Sequence, residues 1–187
     1  MCLRRIFLME KEKIANICCY YLTSIIAALT VSRSTFVTGY ILVTITTSLN
    51  LFIVSYYRLL SQYDFLVTLV LMTAGLMIDF TLQQAGIIVF NAPTFDKLPL
   101  PYWMVILWVS FSTNTFTVTR WIYSHPIYTG LALCIGITLG YWIGIRIGMG
   151  RLSGDDIRYL GYWSIYWLFA GSIIGYLNLQ IQPRTVR

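Results

Sequence analysis

Long apolar runs, separated by short polar segments, form the main pattern of this chain. Most of the runs are close to the ~20 residues that a helix needs to cross the hydrocarbon core of a bilayer. The pattern predicts a single all-α membrane domain, a polytopic bundle of six transmembrane spans. The predicted segments are a charged leader at 1–13, spans near 14–32, 36–57, 65–90, 102–119, 127–148 and 162–179, and a tail at 180–187.

The end of the third span is the least defined of these boundaries. Its apolar run continues to Phe90, although Gln83, Gln84 and Gly86 interrupt it. The prolines of the segment 91–101 exclude a helix there, because proline lacks a backbone N–H and restricts the residue before it. We place the end of the span near Phe90, with an earlier end as the alternative.

Composition supports a protein whose solvent is lipid. The chain of 187 residues is 58% hydrophobic and 11% charged, whereas a soluble domain carries about 25% charged residues. The net charge is +6, but the basic residues lie at the ends of spans, where they act as topology signals and contact anionic lipid. More of them fall on the side of the two termini, which favours both termini in the cytoplasm. We therefore expect a bilayer partner and no nucleic acid.

The residues that usually bind metals or perform catalysis are sparse. Cys18 and Cys19 are adjacent, no CxxC motif occurs, and the one histidine, His125, precedes a proline in a predicted loop. These features indicate neither a disulfide framework nor a metal site. No nucleotide-binding, zinc-protease or hydrolase motif is present. We expect no cofactor, and the sequence leans against an enzyme.

Asp79 is the residue that most clearly marks a site. An ionisable side chain inside a span is costly, which makes it a functional-site hypothesis by default. On a helix, Gly75, Asp79, Gln83 and Gly86 lie near one face and form a narrow polar stripe. Two interpretations stay open: a ligand or proton site that faces the bundle interior, or a structural aspartate that bonds a neighbouring helix.

Two other spans offer partners for Asp79. Arg146 lies at a similar depth in the parallel fifth span, so an Asp79–Arg146 pair is the first choice; alternatively, Arg146 extends alone to the interface. In the fourth span, Ser110, Asn114 and Thr117 follow a helical spacing and either face Asp79 or form hydrogen bonds between helices. The candidate ligand-binding set is Asp79, Gln83, Asn114 and Arg146.

The fifth span also carries a ladder of glycines, each four residues from the next. Such a ladder allows another backbone to approach closely, so it predicts tight helix packing, with direct ligand contact as the alternative. The sixth span has two glycines at the same spacing and is the expected partner. The predicted packing glycines are Gly136, Gly140, Gly144 and Gly148 in the fifth span and Gly171 and Gly175 in the sixth.

Several motifs between residues 75 and 148 occur together. They are Gly75-x3-Asp79, Leu107-Trp108-x2-Phe111, Arg120-Trp121 and the glycine ladder of the fifth span. This combination resembles a family of small bacterial inner-membrane proteins that is classed as a domain of unknown function. The chain departs from the family pattern at Ile137, near a usual proline, and at Thr119, in place of a Ser-Leu pair.

The resemblance implies a multi-pass protein of the bacterial inner membrane, with an uncharacterised activity and genomic neighbours that modify lipids. We expect a non-enzymatic protein that binds a lipophilic small molecule, or that supports a lipid-related complex with partner membrane subunits, through a polar site at Asp79. Similar size and span number make the substrate-binding subunit of a vitamin transporter an alternative. A lipid-modifying membrane enzyme and a purely structural scaffold are the others.

Overall fold

The computed structural model of the protein describes residues 2–33, 35–93, 96–118, 125–154 and 156–181. Helices account for most of these residues, and two short strands pair with each other. The elements are helices α1 (Cys2–Ser32), α2 (Phe36–Tyr56), α3 (Gln62–Gln84), α4 (Tyr102–Val118), α5 (Pro126–Arg146) and α6 (Asp156–Ile181), and strands β1 (Ile88–Phe90) and β2 (Gly150–Leu152).

The all-α class is confirmed, and the outer surface is that of a membrane protein. Large apolar side chains point outward from several helices, for example Phe52 at 61% exposure and Phe169 at 66%. Apolar surface of this extent marks contact with lipid or another apolar partner. In the described residues, four helical segments are long and apolar enough to cross a bilayer: Lys13–Val31, Phe36–Tyr56, Gln62–Gln84 and Pro126–Arg146.

Helix α3 has a defined start and a defined end. It starts at a capping box in which Ser61 Oγ accepts from the Asp64 backbone N–H, and the Asp64 carboxylate accepts from the Ser61 N–H, each at 3.1 Å. This exchange satisfies two backbone donors that a helix start leaves free. The helix ends at Gln84, before the predicted end near Phe90. Gly86 then takes a φ of +69°, which glycine adopts without steric cost.

The residues after Gly86 form a β-ribbon that the sequence analysis did not predict. Strand β1 pairs antiparallel with β2, in a register that sets Ile88 opposite Leu152 and Phe90 opposite Gly150. Gly148, with φ +86°, turns the chain from α5 into β2 in the same way that Gly86 turns it from α3 into β1. The ribbon therefore ties the ends of α3 and α5 together.

Helix α3 connects two groups of helices. In the first group α1 and α2 pack side by side and α4 packs against both; in the second, α5 packs against α6. Helix α3 contacts α4 on one side and α6 on the other. Because α5 packs mainly on α6 and β2, space remains between α5 and the α1 and α4 helices.

Small residues bring α5 and α6 close together. A Cβ on Gly171 would lie 2.9 Å from the Gly130 Cα, and one on Gly175 would lie 2.9 Å from the Pro126 Cα. Both distances are too short for a real Cβ, so the two glycines of α6 permit the backbone approach that their spacing predicted. Their partner on α5 is Gly130, which lies outside the ladder.

The ladder itself does not make this contact. A Cβ on Gly136 or Gly140 would meet no atom within 4 Å, and one on Gly144 would meet only the Met149 side chain, at 3.7 Å. Gly148 lies beyond the helix, in the turn to β2. The prediction that these four glycines pack against the sixth span is therefore wrong.

The helical period explains why the glycine ladder does not contact α6. Thr138 Oγ1 and Ser164 Oγ form a hydrogen bond of 3.0 Å, which marks the side of α5 that faces α6. Gly136 and Gly140 are each two residues from Thr138, or about 200° around the helix. The ladder thus faces away from α6, toward the space beside α1 and α4.

Candidate functional site

Asp79 lies at the junction of α3, α4 and α5, and its side chain is fully buried. Trp108 of α4 donates its indole N–H to Asp79 Oδ2 at 2.6 Å. Tyr141 of α5 donates its hydroxyl to Asp79 Oδ1. We call these three residues the Asp79 centre. Each carboxyl oxygen has one donor, which is the condition for burying a polar group at low cost.

Gly75 positions the indole of Trp108. A Cβ at Gly75 would overlap the six-membered ring of Trp108, so glycine alone lets that ring lie against the α3 backbone. Asp79 is one helical turn further along and accepts a hydrogen bond from the indole N–H of the same side chain. Trp167 stacks on Trp108 with ring centroids 5.5 Å apart, and Phe111 meets it edge-on at 5.6 Å. The Gly75-x3-Asp79 and Trp108-x2-Phe111 motifs thus form a single packing unit.

Aromatic rings also fix the position of Tyr141. The Tyr141 ring lies 4.1 Å from the Trp163 ring, centroid to centroid, and 6.5 Å from the Phe90 ring. These neighbours come from α6 and β1, so five elements, α3, α4, α5, α6 and β1, meet at the Asp79 centre. The hydroxyl is thereby held on Asp79, and the partly buried Tyr141 also lines the cavity described below.

The expected Asp79–Arg146 pair is not formed. Arg146 is exposed in the last turn of α5, and its guanidinium carbon lies 5.8 Å from the centroid of the Trp142 ring. Tyr141, more than one turn earlier on α5, occupies the position that the pair would need. The pairing prediction is wrong because Arg146 points outward, where its charge stays solvated or meets lipid headgroups.

Gln83 has a local structural contact. Its Nε2 donates to the Pro99 carbonyl at 2.8 Å. This bond attaches the last turn of α3 to the segment that leads into α4. Gln83 is therefore separate from the Asp79 centre, although the two residues are one turn apart.

Asn114 belongs to a different polar cluster. Its Oδ1 accepts from Asn16 Nδ2 at 3.1 Å, and Asn50 Nδ2 donates to Asn16 Oδ1 at 2.6 Å. These three asparagines join α1, α2 and α4, which matches the interhelical alternative for the polar residues of the fourth span. Ser110 is fully buried one turn before Asn114. The side chain of Thr117 lies outside the described part of the chain, as do residues 119–121.

A cavity of about 380 Å³ lies beside the Asp79 centre, between α5 and the α1 and α4 helices. Trp108 and Tyr141 form part of its wall, and Gly136, Gly140 and Gly144 form the wall on α5. The absence of side chains at these glycines creates the space. The volume is within the range of about 300–1,000 Å³ that small-molecule sites occupy.

The rest of the lining is almost entirely apolar. Tyr20 and Ala28 contribute from α1, Leu107 and Phe111 from α4, and Met149 from the turn into β2. Among the described residues, no group of three His, Cys, Asp or Glu side chains is placed to hold a metal ion. The chemistry that this cavity offers is the burial of apolar surface against aromatic rings and bare helix backbone.

The family comparison covers this whole region. A family model described as "Protein of unknown function (DUF2878)" matches residues 13–172. The chain belongs to this family. The matched DUF2878 segment includes all three residues of the Asp79 centre and the glycine ladder, and the predicted membership of an uncharacterised family is confirmed. No curated protein and no solved structure matches the chain.

Sequence reasoning did not identify two residues of this DUF2878 site. Trp108 and Tyr141 were part of recognised motifs but were not candidates for contact with Asp79. The available signal was chemical: each is an aromatic residue with one polar group, and such residues usually find a hydrogen-bond partner when buried. Each also lies on a span that is predicted to pass near Asp79.

Proposed function

We propose that this protein is a multi-pass membrane protein that binds a lipophilic molecule in the cavity between α1, α4 and α5. The observation that supports this proposal is the placement of the cavity directly against the Asp79 centre. A fixed polar anchor holds two aromatic rings in the cavity wall, and the glycine face of α5, next to Tyr141, leaves room for a ligand. Ligand sites are typically apolar, with a few precisely placed polar groups.

In this proposal Asp79 has a positioning role. Both of its oxygens already accept a hydrogen bond, so it holds Trp108 and Tyr141 in place and leaves direct contact with the ligand to their rings. The proposed setting is the bacterial inner membrane, with six spans and both termini in the cytoplasm, as the distribution of basic residues favours. No observation on the described residues favours the transporter-subunit or enzyme alternatives.

Filling the cavity should remove the ligand. We expect Gly140→Leu to abolish binding of molecules that co-purify with the protein, because the new side chain would project into the cavity. The matched control is Gly161→Leu on α6, an exposed glycine where a Cβ also meets no atom within 4 Å. Both changes replace glycine in a helix, which favours the helix by about 0.8–1 kcal/mol.

Native mass spectrometry of the detergent-purified protein measures this directly. The proposal expects a bound lipophilic species on the wild type and on Gly161→Leu, and none on Gly140→Leu. A species that remains on Gly140→Leu at wild-type abundance, or a wild-type protein that carries nothing, would contradict it.

A further inference from the structure

The cavity has a charged group at one end only. Arg151 of β2 belongs to its lining, beside the ribbon residues Phe90 and Gly150. Toward Gly136 and Phe111, the described lining residues include no charged side chain. The cavity is therefore amphipathic along its length, with a cationic end at the ribbon and an apolar end inside the bundle.

Two hydroxyl groups beside the apolar part of the cavity are already engaged. Tyr141 donates its hydroxyl to Asp79, and Ser24 donates to the Tyr20 carbonyl at 3.0 Å. A polar ligand group placed against Trp108 and Tyr141 would lose its hydration next to polar atoms that are already paired with Asp79, which is unfavourable. Among the described lining residues, Arg151 makes the ribbon end the most favourable place for the polar part of a ligand.

The length of the cavity matches one leaflet of a bilayer. Its lining on α5 extends from Gly136 to Ile147. At 1.5 Å per residue this is roughly 16 Å, about half of the ~30 Å hydrocarbon core. Helices α3 and α5, both long enough to cross a membrane, end at the ribbon. An apolar chain that fills the cavity would thus span one leaflet and present its head at the membrane surface.

Arg151 is suited to hold that head. Its side chain is exposed, and no carboxylate among the described side chains forms an ion pair with it. A guanidinium binds carboxylate and phosphate groups through two parallel hydrogen bonds. The buried acid beside the cavity, Asp79, has both oxygens occupied by Trp108 and Tyr141.

We propose that the occupant of the cavity is an anionic membrane amphiphile, with an apolar chain about one leaflet long and a phosphate or carboxylate head bound by Arg151. This assignment rests on the proposed function and specifies its ligand class and orientation. The ligand enters with its chain between α5 and the α1 and α4 helices, and its head remains at the ribbon.

Binding of two amphiphiles with the same chain and different heads tests the assignment. The probes are palmitoyl lysophosphatidylglycerol, which is anionic, and palmitoyl lysophosphatidylcholine, which is zwitterionic. Each is titrated onto the detergent-purified full chain and measured by native mass spectrometry. We expect the wild type to prefer the anionic probe by roughly five- to tenfold, the scale of one arginine–anion contact near a membrane surface. Palmitate as a third probe separates a carboxylate head from a phosphate head.

The variants separate charge from cavity. Arg151→Gln should remove the preference and leave the affinity for the zwitterionic probe unchanged. Arg33→Gln, an exposed arginine outside the cavity lining, should keep the preference. Gly140→Leu should lower the affinity for both probes equally. If Arg151→Gln still prefers the anionic probe and Gly140→Leu binds neither probe, the assignment of the head to Arg151 is wrong. The proposal of a lipophilic site in the cavity is then retained. If Gly140→Leu binds both probes with wild-type affinity, both the head assignment and the proposed function are wrong.

Discussion

At the Asp79 carboxylate, two aromatic residues provide the hydrogen bonds that a cation often provides elsewhere. The indole N–H of Trp108 and the hydroxyl of Tyr141 each take one oxygen. Both donors keep their rings in apolar surroundings, so the polar contact requires no charged partner in the bundle. The same two bonds hold the rings in the cavity wall, which connects the stability of the bundle to the shape of the site.

Removing this acceptor should destabilise the protein. Asp79→Leu leaves the Trp108 N–H and the Tyr141 hydroxyl buried without a partner, at about 1–3 kcal/mol for each group. We therefore expect a loss of about 2–6 kcal/mol in the free energy of unfolding, measured by denaturation in detergent. Asp79→Asn should cost much less, because its amide can accept from the indole and donate to the tyrosine oxygen.

The control for this series is Phe80→Leu, a lipid-facing change on the next residue. If Asp79→Leu and Phe80→Leu unfold at the same denaturation midpoint, the two hydrogen bonds contribute nothing to the free energy of unfolding.

The sequence located Asp79 but not the residues around it. A single acid in an apolar run is visible without a structure, because its cost in lipid is independent of its neighbours. The choice between Arg146 and Tyr141 depends on the rotation of α5 about its axis, which the depth of a residue does not report. Depth along the span favoured Arg146, and the helix rotation selected Tyr141.

At the scale of elements, the helices were predictable because each has its own local signals. The apolar runs, the prolines near residues 93–101 and the polar segments between runs mark most boundaries within a few residues. The β-ribbon was not predictable in this way. Its two strands have three residues each and are far apart in the chain, so no local pattern indicates that they pair.

The contacts of the glycine ladder were also not predictable from the local sequence pattern. Spacing places Gly136, Gly140 and Gly144 on one face, but it does not say whether that face meets a helix or a cavity. The contact between Thr138 and Ser164 decides the question, since it turns the opposite face of α5 toward α6. Ligand contact, the alternative interpretation of the ladder, is the one that the cavity favours.

The ribbon register can be tested by cross-linking. Val89 and Arg151 are Cα partners across the two strands, and antiparallel partners lie about 4.5–5.5 Å apart, within disulfide range. We expect Val89→Cys/Arg151→Cys to form an internal disulfide on mild oxidation, detected by mass spectrometry of the digest. Val89→Cys/Arg158→Cys is the matched pair without this contact. Equal cross-linking in both pairs would contradict the register.

At the scale of the whole molecule, the α5–α6 pair meets the rest of the bundle at a few defined places. The ribbon joins α5 to α3 at one end, α6 packs on α3, and the Asp79 centre joins α3, α4 and α5 beside the cavity. Exposed apolar side chains cover much of the outside. The cavity, which is lined by Trp108, Tyr141 and the glycine face of α5, differs from the general apolar surface of the helices.

That difference is the central claim, and photo-cross-linking tests it most directly. The probe is a palmitoyl lysophosphatidylglycerol with a diazirine in its chain, and the labelled residues are mapped by mass spectrometry. We predict that labels concentrate on cavity residues such as Met104, Phe111 and Met149. The extent of labelling at these residues should fall when excess unlabelled lipid is added, and it should also fall in the Gly140→Leu variant. Labels confined to lipid-facing residues such as Phe52 and Phe169, unaffected by competitor, would contradict the account.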